Sequence, residues 1–250
     1  MMETPSGASN PRAYATDRDV ALRSRVMLLA LASCKLLIQF AGINHYGFFR
    51  DELYYIACGQ HLAWGYVDQP PLIALVAWFE RHALGSSLFG TRLLPVLAGA
   101  AVVYATGRVA AELGGGLYAQ FLGATAILLA PAYLAFDSFF SMNAFEPLFW
   151  LVCAWIAIRI AKGASPRLWL LFGVISGLGL ENKHSILVFG FALVAGLLLS
   201  GQARLFRSKW IWIGAAVALA IFLPNLIWEA RNGWPQIEVV RNAQQFKNEA

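Results

Sequence analysis

Three carboxylates, Asp51, Glu52 and Asp68, stand close together in the stretch FFRDELYYIACGQHLAWGYVDQPPL, residues 48–72. Tyr54, Tyr55, Trp64 and Tyr66 are interleaved with them, and the stretch closes on Pro70-Pro71. Acids and aromatics held at the mouth of a membrane bundle can take part in catalysis or line a translocation path. Plainer roles fit the same residues. Asp51-Glu52 can open an amphipathic helix, where acids near the N-terminus stabilise by roughly 0.3–1 kcal/mol. Asp68 can sit at a helix cap, with proline in the first turn. The aromatics suit interface anchoring at least as well as substrate contact.

A second set of polar residues, Asp137, Asn143, Glu146, Glu181, Asn182, Lys183 and His184, comes from other short connections. Buried carboxylates in a helical bundle are costly unless paired or useful, so their gathering implies a polar cavity facing one side. His45, His61, His82 and His184 show no metal-ligand spacing.

The elements that must position these groups are apolar. Of 250 residues, 59% are hydrophobic and 13% charged, about half the charged share of an ordinary soluble domain. A polytopic helical membrane protein follows. The net charge of +5 sits in short loops where it sets topology, and nucleic acid is not the expected partner. Three cysteines make no disulfide framework.

Seven apolar runs are read as spans: Val26–Ile43, Thr91–Leu113, Leu117–Phe136, Ala144–Ile160, Leu168–Leu180, Ile186–Ser200 and Trp210–Trp228. Lys35 interrupts the first. At a helix centre it costs roughly 2.5–3.5 kcal/mol on insertion scales, so it either snorkels outward or lines a polar interior. Pro70–Leu84 is apolar but reaches only roughly 22 Å at 1.5 Å per residue, and is read as a helix lying at the interface. With that assignment Arg159, Lys162 and Arg167, then Arg204, Arg207 and Lys209, face the cytoplasm, as the positive-inside rule asks. The expected organisation is a cytoplasmic tail over residues 1–25, disordered to Asp19, and a transmembrane core over 26–228 containing the loop 44–90. Residues 229–250 begin an outer loop that leads toward a further part of a longer protein.

The stretch 48–72, followed by GTRLLPVLAGA, by GLGLENKHS and by a proline-ended last span, resembles glycosyltransferase family 39 of the GT-C fold. This family includes the aminoarabinose transferases of lipid A and the protein O-mannosyltransferases. The resemblance implies the N-terminal half of a GT-C fold and a polyprenyl-phosphate-linked sugar donor in the bilayer. It also implies transfer to an acceptor hydroxyl on the outer face of the bacterial inner membrane. It assigns Asp51 as general base, Glu52 as its neighbour in the motif, and Asp68 as a second acid that orients the acceptor or helps hold a divalent metal. The family pattern departs here at two points. A lysine expected after the second acid is Gln69, and an arginine expected after the first acid pair is Tyr54 or Tyr55. Phosphate binding then falls first to Lys183, with Arg50 and Arg92 next. Tyr54, Tyr55, Asp137 and His184 complete the candidate substrate contacts. The alternative is a transporter or lipid flippase whose acids line a translocation path. Its paired repeats and broken central helices are not evident in the sequence.

Overall fold

The structure, a computed structural model, describes residues 11–248. Every regular element in that range is helical: α1 Pro11–Gly42, α2 Arg50–Gln60, α3 Leu72–Leu84, α4 Leu88–Glu112, α5 Leu117–Leu129, α6 Pro131–Phe136, α7 Met142–Ala161, α8 Leu168–Asn182, α9 Ile186–Leu199, α10 Lys209–Arg231 and α11 Pro235–Asn248, with a 3₁₀ turn at Ala203–Arg207. Four helices are long and apolar enough to cross a membrane: Arg18–Gly42 within α1, then α4, α7 and α10. α5, α8 and α9 are apolar but shorter. All seven coincide with the apolar runs read from the sequence. The chain is an all-α, multi-pass membrane protein.

α4 is the hub. It packs against α1, α3, α5 and α7, and small buried residues such as Ala98, Gly99, Ala100 and Ala105 let those neighbours come close. A methyl group on Gly107 would collide with Leu28 of α1, and one on Gly99 with the Asp137 carboxylate. The second half of the bundle is built on α8 and α10. A Cβ on Gly173 would strike the backbone of Gly214, one on Gly214 the carbonyl of Trp169, and one on Gly177 the α10 backbone at Ala218. Gly173-Val174-Ile175-Ser176-Gly177 is therefore a small-xxx-small contact in which two helix backbones nearly touch.

Two expectations change. The stretch before Val26 is not disordered to Asp19, because α1 is already helical from Pro11. Apolarity marks where a membrane can be, not where a helix begins, and Ala, Arg and Leu propagate a helix well. Residues 1–10 of the expected tail lie outside the described residues. The run 117–136 is not one helix. Ala130 is extended (ψ 122°) ahead of Pro131, since a residue preceding proline avoids the helical region.

The short α6 ends at Phe136 and leaves its last carbonyls in need of partners, and α1 supplies them. Lys35 Nζ donates to the Tyr133 carbonyl (3.2 Å) and Gln39 Nε2 to the Leu134 carbonyl (3.0 Å). Lys35 also lies 2.8 Å from Asp137 Oδ2, with both side chains essentially sealed from solvent. Lys35 thus faces the interior and does not snorkel. Asp137, expected among the substrate contacts, is spent on this pair.

Removing one partner of a buried pair leaves an uncompensated charge and costs about 3–5 kcal/mol. Lys35→Met should lower the thermal midpoint in detergent sharply, and Lys35→Met/Asp137→Leu should recover much of the loss.

Candidate active site

One end of the bundle collects the polar connections. Glu52 is fully buried at the first turn of α2. Its Oε1 accepts from Arg92 Nε (2.8 Å) and from the Phe140 backbone N–H (2.9 Å). Its Oε2 accepts from Arg92 Nη2 (2.8 Å) and from the Phe49 backbone N–H (2.7 Å). Arg92 spends its other donors on the carbonyls of Ile43 (2.8 Å), Tyr46 (3.1 Å) and Gly47 (2.8 Å). All five guanidinium N–H groups are occupied. This one pair ties the end of α1, the connection after it, α2, α4 and the segment before α7. Arg92 has no donor left for a phosphate, and Glu52 has four hydrogen bonds to lose before it could accept a proton. Their expected roles in binding and catalysis give way to a structural one.

Asp51 is one residue away, about 100° round the helix, and points out of that network. It is 38% exposed and meets Arg50 Nε at 3.1 Å, a loose surface contact of little energetic weight. Tyr55 is buried one turn further on. Burial first, then the charges of Asp51 and Asp68, push its phenol up to about 12, so both carboxylates are near enough to be felt there. Tyr54 donates from its hydroxyl to Asp68 Oδ1 at 2.6 Å. Burial and that bond raise its pKa further still, so it stays protonated. Two of the three expected acids therefore flank one pair of tyrosines, and the third anchors the helix that carries them.

The loop before α3 is held from inside. The Tyr66 hydroxyl lies 3.0 Å from both the Cys58 and the His61 carbonyl, which share its one proton, and accepts the Ala63 N–H. Gln69, standing where a lysine was expected, is fully buried, with Nε2 3.6 Å from Cys58 Sγ. A Cβ on Gly65 would enter the Trp228 ring, and Asn225 Nδ2 donates to the Trp64 carbonyl (2.8 Å). The loop is thus pressed onto the end of α10.

Lys183 follows α8 and reaches Glu146 Oε2 (2.8 Å) and Asn143 Oδ1 (2.9 Å). Ser185 also hydrogen-bonds Glu146. Lys183, Glu146 and Asn143 line a cavity of about 740 Å³ with Tyr133, Pro147 and Trp150 among its other walls. Asp51 and Asp68 are not among its walls. His184 faces Asn225 Oδ1 at 3.3 Å, and burial lowers its pKa. It serves the junction of α8 with α10, not the Lys183 cavity. Among the described residues no three His, Cys, Asp or Glu side chains converge as a metal ion would need.

Neither Glu80, the first charge at the end of the apolar run 70–84, nor Asn225, a lone amide in a span, carries a local pattern that marks it as buried. Glu80 is buried on α3, and burial pushes its carboxyl up to about 9.

These observations define a polytopic helical membrane protein whose polar connections gather at one end. Residues 68–228 match the dolichyl-phosphate-mannose-protein mannosyltransferase family. The lipid A galacturonosyltransferase RgtD of Rhizobium johnstonii is 31% identical over 187 residues, 74% of this chain and 39% of that protein. No solved structure matches the chain. The chain belongs to the dolichyl-phosphate-mannose-protein mannosyltransferase family of membrane glycosyltransferases, and it spans about two fifths of the length of that relative.

Two measurements check these assignments. Glu52→Gln and Arg92→Lys should each destabilise by about 3–5 kcal/mol in thermal unfolding, whereas Asp51→Asn should stay within about 0.5 kcal/mol. Glu80 binds its proton more tightly folded, near pH 9, than unfolded, near about 4.3. Its contribution to stability is therefore complete below pH 4 and drains away as pH rises toward 9. The stability gain of Glu80→Gln over the parent should widen between pH 5 and pH 8.

Proposed function

We propose that this chain forms the N-terminal part of a GT-C-type enzyme. It moves a sugar from a polyprenyl-phosphate donor to an acceptor hydroxyl on the outer face of the membrane, with inversion. The observation that carries this reading is the setting of Asp51. The neighbouring Glu52–Arg92 pair fixes the start of α2, while Asp51 itself stays partly exposed, without a buried partner, beside Tyr55 and the Tyr54–Asp68 pair. A carboxylate held this way can take a proton from a hydroxyl that comes within hydrogen-bond reach.

In that reaction the acceptor oxygen bonds to the anomeric carbon as its proton passes to Asp51. The bond from that carbon to the phosphate oxygen breaks, and its electron pair leaves with the polyprenyl phosphate. The departing group is already ionised, so it needs cationic or hydrogen-bonding stabilisation more than a proton. Lys183 is the candidate for it, exchanging Glu146 for a phosphate oxygen, and exposed Arg50 is second. Asp68, oriented by Tyr54, would direct the acceptor.

Seven crossings fit this scheme, with α5, α8 and α9 extended by their flanks and with α2 and α3 at the outer interface. The opposite end carries Arg159, Lys162, Arg204 and Arg207, which supports a cytoplasmic assignment for it. Residues 26–228 are then the transmembrane core, and residues 229–250 lead into the remainder of a longer enzyme. The name of the relative makes galacturonic acid and lipid A the first donor sugar and acceptor to try.

Full-length protein in proteoliposomes, given a polyprenyl-phosphate-linked galacturonic acid and lipid A, provides the test. Asp51→Asn should lower transfer by about 10²–10⁴-fold with an unchanged thermal midpoint. Transfer at the parental rate by that variant would refute the assignment of the base.

A further inference from the structure

The two sides of the α8 terminus face different chambers. Lys183 looks into the cavity with Glu146. Glu181, in the last turn of α8, lines a separate cavity of about 440 Å³ between the loop 62–64, α3, α8 and α10. The size falls within the range of about 300–1,000 Å³ usual for small-molecule sites. Its other walls include Leu62, Trp64, Pro71, Leu75 and Ile221.

Two features of this cavity lack an explanation in the fold. Glu181 is only 7% exposed, yet neither carboxyl oxygen has a hydrogen-bond partner. A buried carboxyl left bare is costly, and no basic side chain stands among the cavity walls to offset it. Trp64 presents the opposite case. Its backbone is pinned by Asn225 and its neighbour Gly65 is wedged against Trp228, but 64% of its surface is open. A rigidly mounted loop thus displays an aromatic side chain at the rim of a pocket holding one unspent carboxyl.

We infer that this cavity is a carbohydrate subsite, which takes a neutral pyranose ring with a vicinal diol on Glu181 and a carbon–hydrogen face on Trp64. Hydroxyls are donors and acceptors at once, so a diol satisfies the carboxyl whether it is ionised or protonated. An ammonium serves only the ionised form. An isoprenoid or acyl chain would fill the apolar walls and leave the carboxyl bare. A pyranose matches both surfaces, since its ring C–H groups pack on an indole while its hydroxyls reach the acid.

The two chambers also differ in chemistry. The one with the lysine suits an anionic phosphate, and the one with the acid, which has no cation among its walls, suits hydroxyls. Resting on the transferase reading above, the carbohydrate held at Glu181 is the acceptor's.

The test uses full-length protein in nanodiscs free of glycoside detergents, because alkyl glycosides would occupy the site. Saturation-transfer NMR with neutral methyl hexopyranosides should show transfer to ring protons. Glu181→Leu should weaken binding at least tenfold and Trp64→Leu several-fold, while Glu181→Gln, which still hydrogen-bonds, should stay within about threefold. Leu75→Trp fills the cavity from the opposite wall without touching the carboxyl and should abolish the signal, which guards against a fold defect in the acid variants. Where transfer is measurable, Glu181→Leu should raise the acceptor KM more than tenfold with the donor KM unchanged. Absence of saturation transfer in the parent protein, or signals indifferent to Glu181→Leu and Leu75→Trp, would overturn the subsite. So would occupancy by hexylammonium or a short prenol with no response to the glycosides. If the sugar binds as described and no lipid-linked donor supports transfer, the subsite stands and the transferase reading fails.

Discussion

Arg92 and Glu52 meet through two parallel hydrogen bonds, and five separate pieces of chain end on that contact. A guanidinium offers five donors in a rigid fork, and a carboxylate accepts bidentately. Here every donor is used and each carboxylate oxygen takes two bonds. A charge pair at this depth brings little net stability over an apolar pair of similar volume. Its yield is geometry. The end of α1, the connection Tyr46–Gly47, the start of α2, the first turns of α4 and the backbone at Phe140 can be assembled in one way only. Asp51 inherits its position from that assembly without taking part in it.

The same logic recurs deeper in the bundle. α6 stops after six residues and leaves carbonyls open at its end, and Lys35 and Gln39 answer them from α1. Asp137 then neutralises the lysine, in space that only a glycine at position 99 leaves free. Two polar residues on one helix, an acid and a glycine together close the end of one short helix. In hydrocarbon neither the lysine nor the acid is tolerable alone.

Much of this was legible beforehand, and the reasons for the rest are physical. The apolar runs located the four helices long enough to cross a membrane and the three shorter apolar ones, because lipid imposes composition more strictly than water does. The start of α1 was misplaced because helicity outlasts apolarity. The division of labour between Asp51 and Glu52 could not be read, since adjacent acids look alike until one of them finds a partner 40 residues away. Arg92 looked like a phosphate ligand for the same reason: a cation in sequence carries no sign of whether its donors are already spent. Lys35 admitted two readings, and only the position of Asp137 chose between them. The gathering of polar turns at one end, by contrast, followed from counting, and the bonds from Asn182 to Met142 and from Asn225 to Trp64 join those turns directly.

The near-contact of α8 with α10 has a mechanical consequence. With no side chain between the backbones at Gly173 and Gly214, there is no cushion to compress and no rotamer to slip, so the two helices behave as one stiff post. The turn bearing Lys183 and His184 caps one member of that post, and Asn225, which holds the Trp64 loop, belongs to the other. Breathing motions that widen a gap on either flank must therefore come from the elements leaning on the post, α3 on one side and α7 on the other, while the post itself keeps both chambers in fixed register.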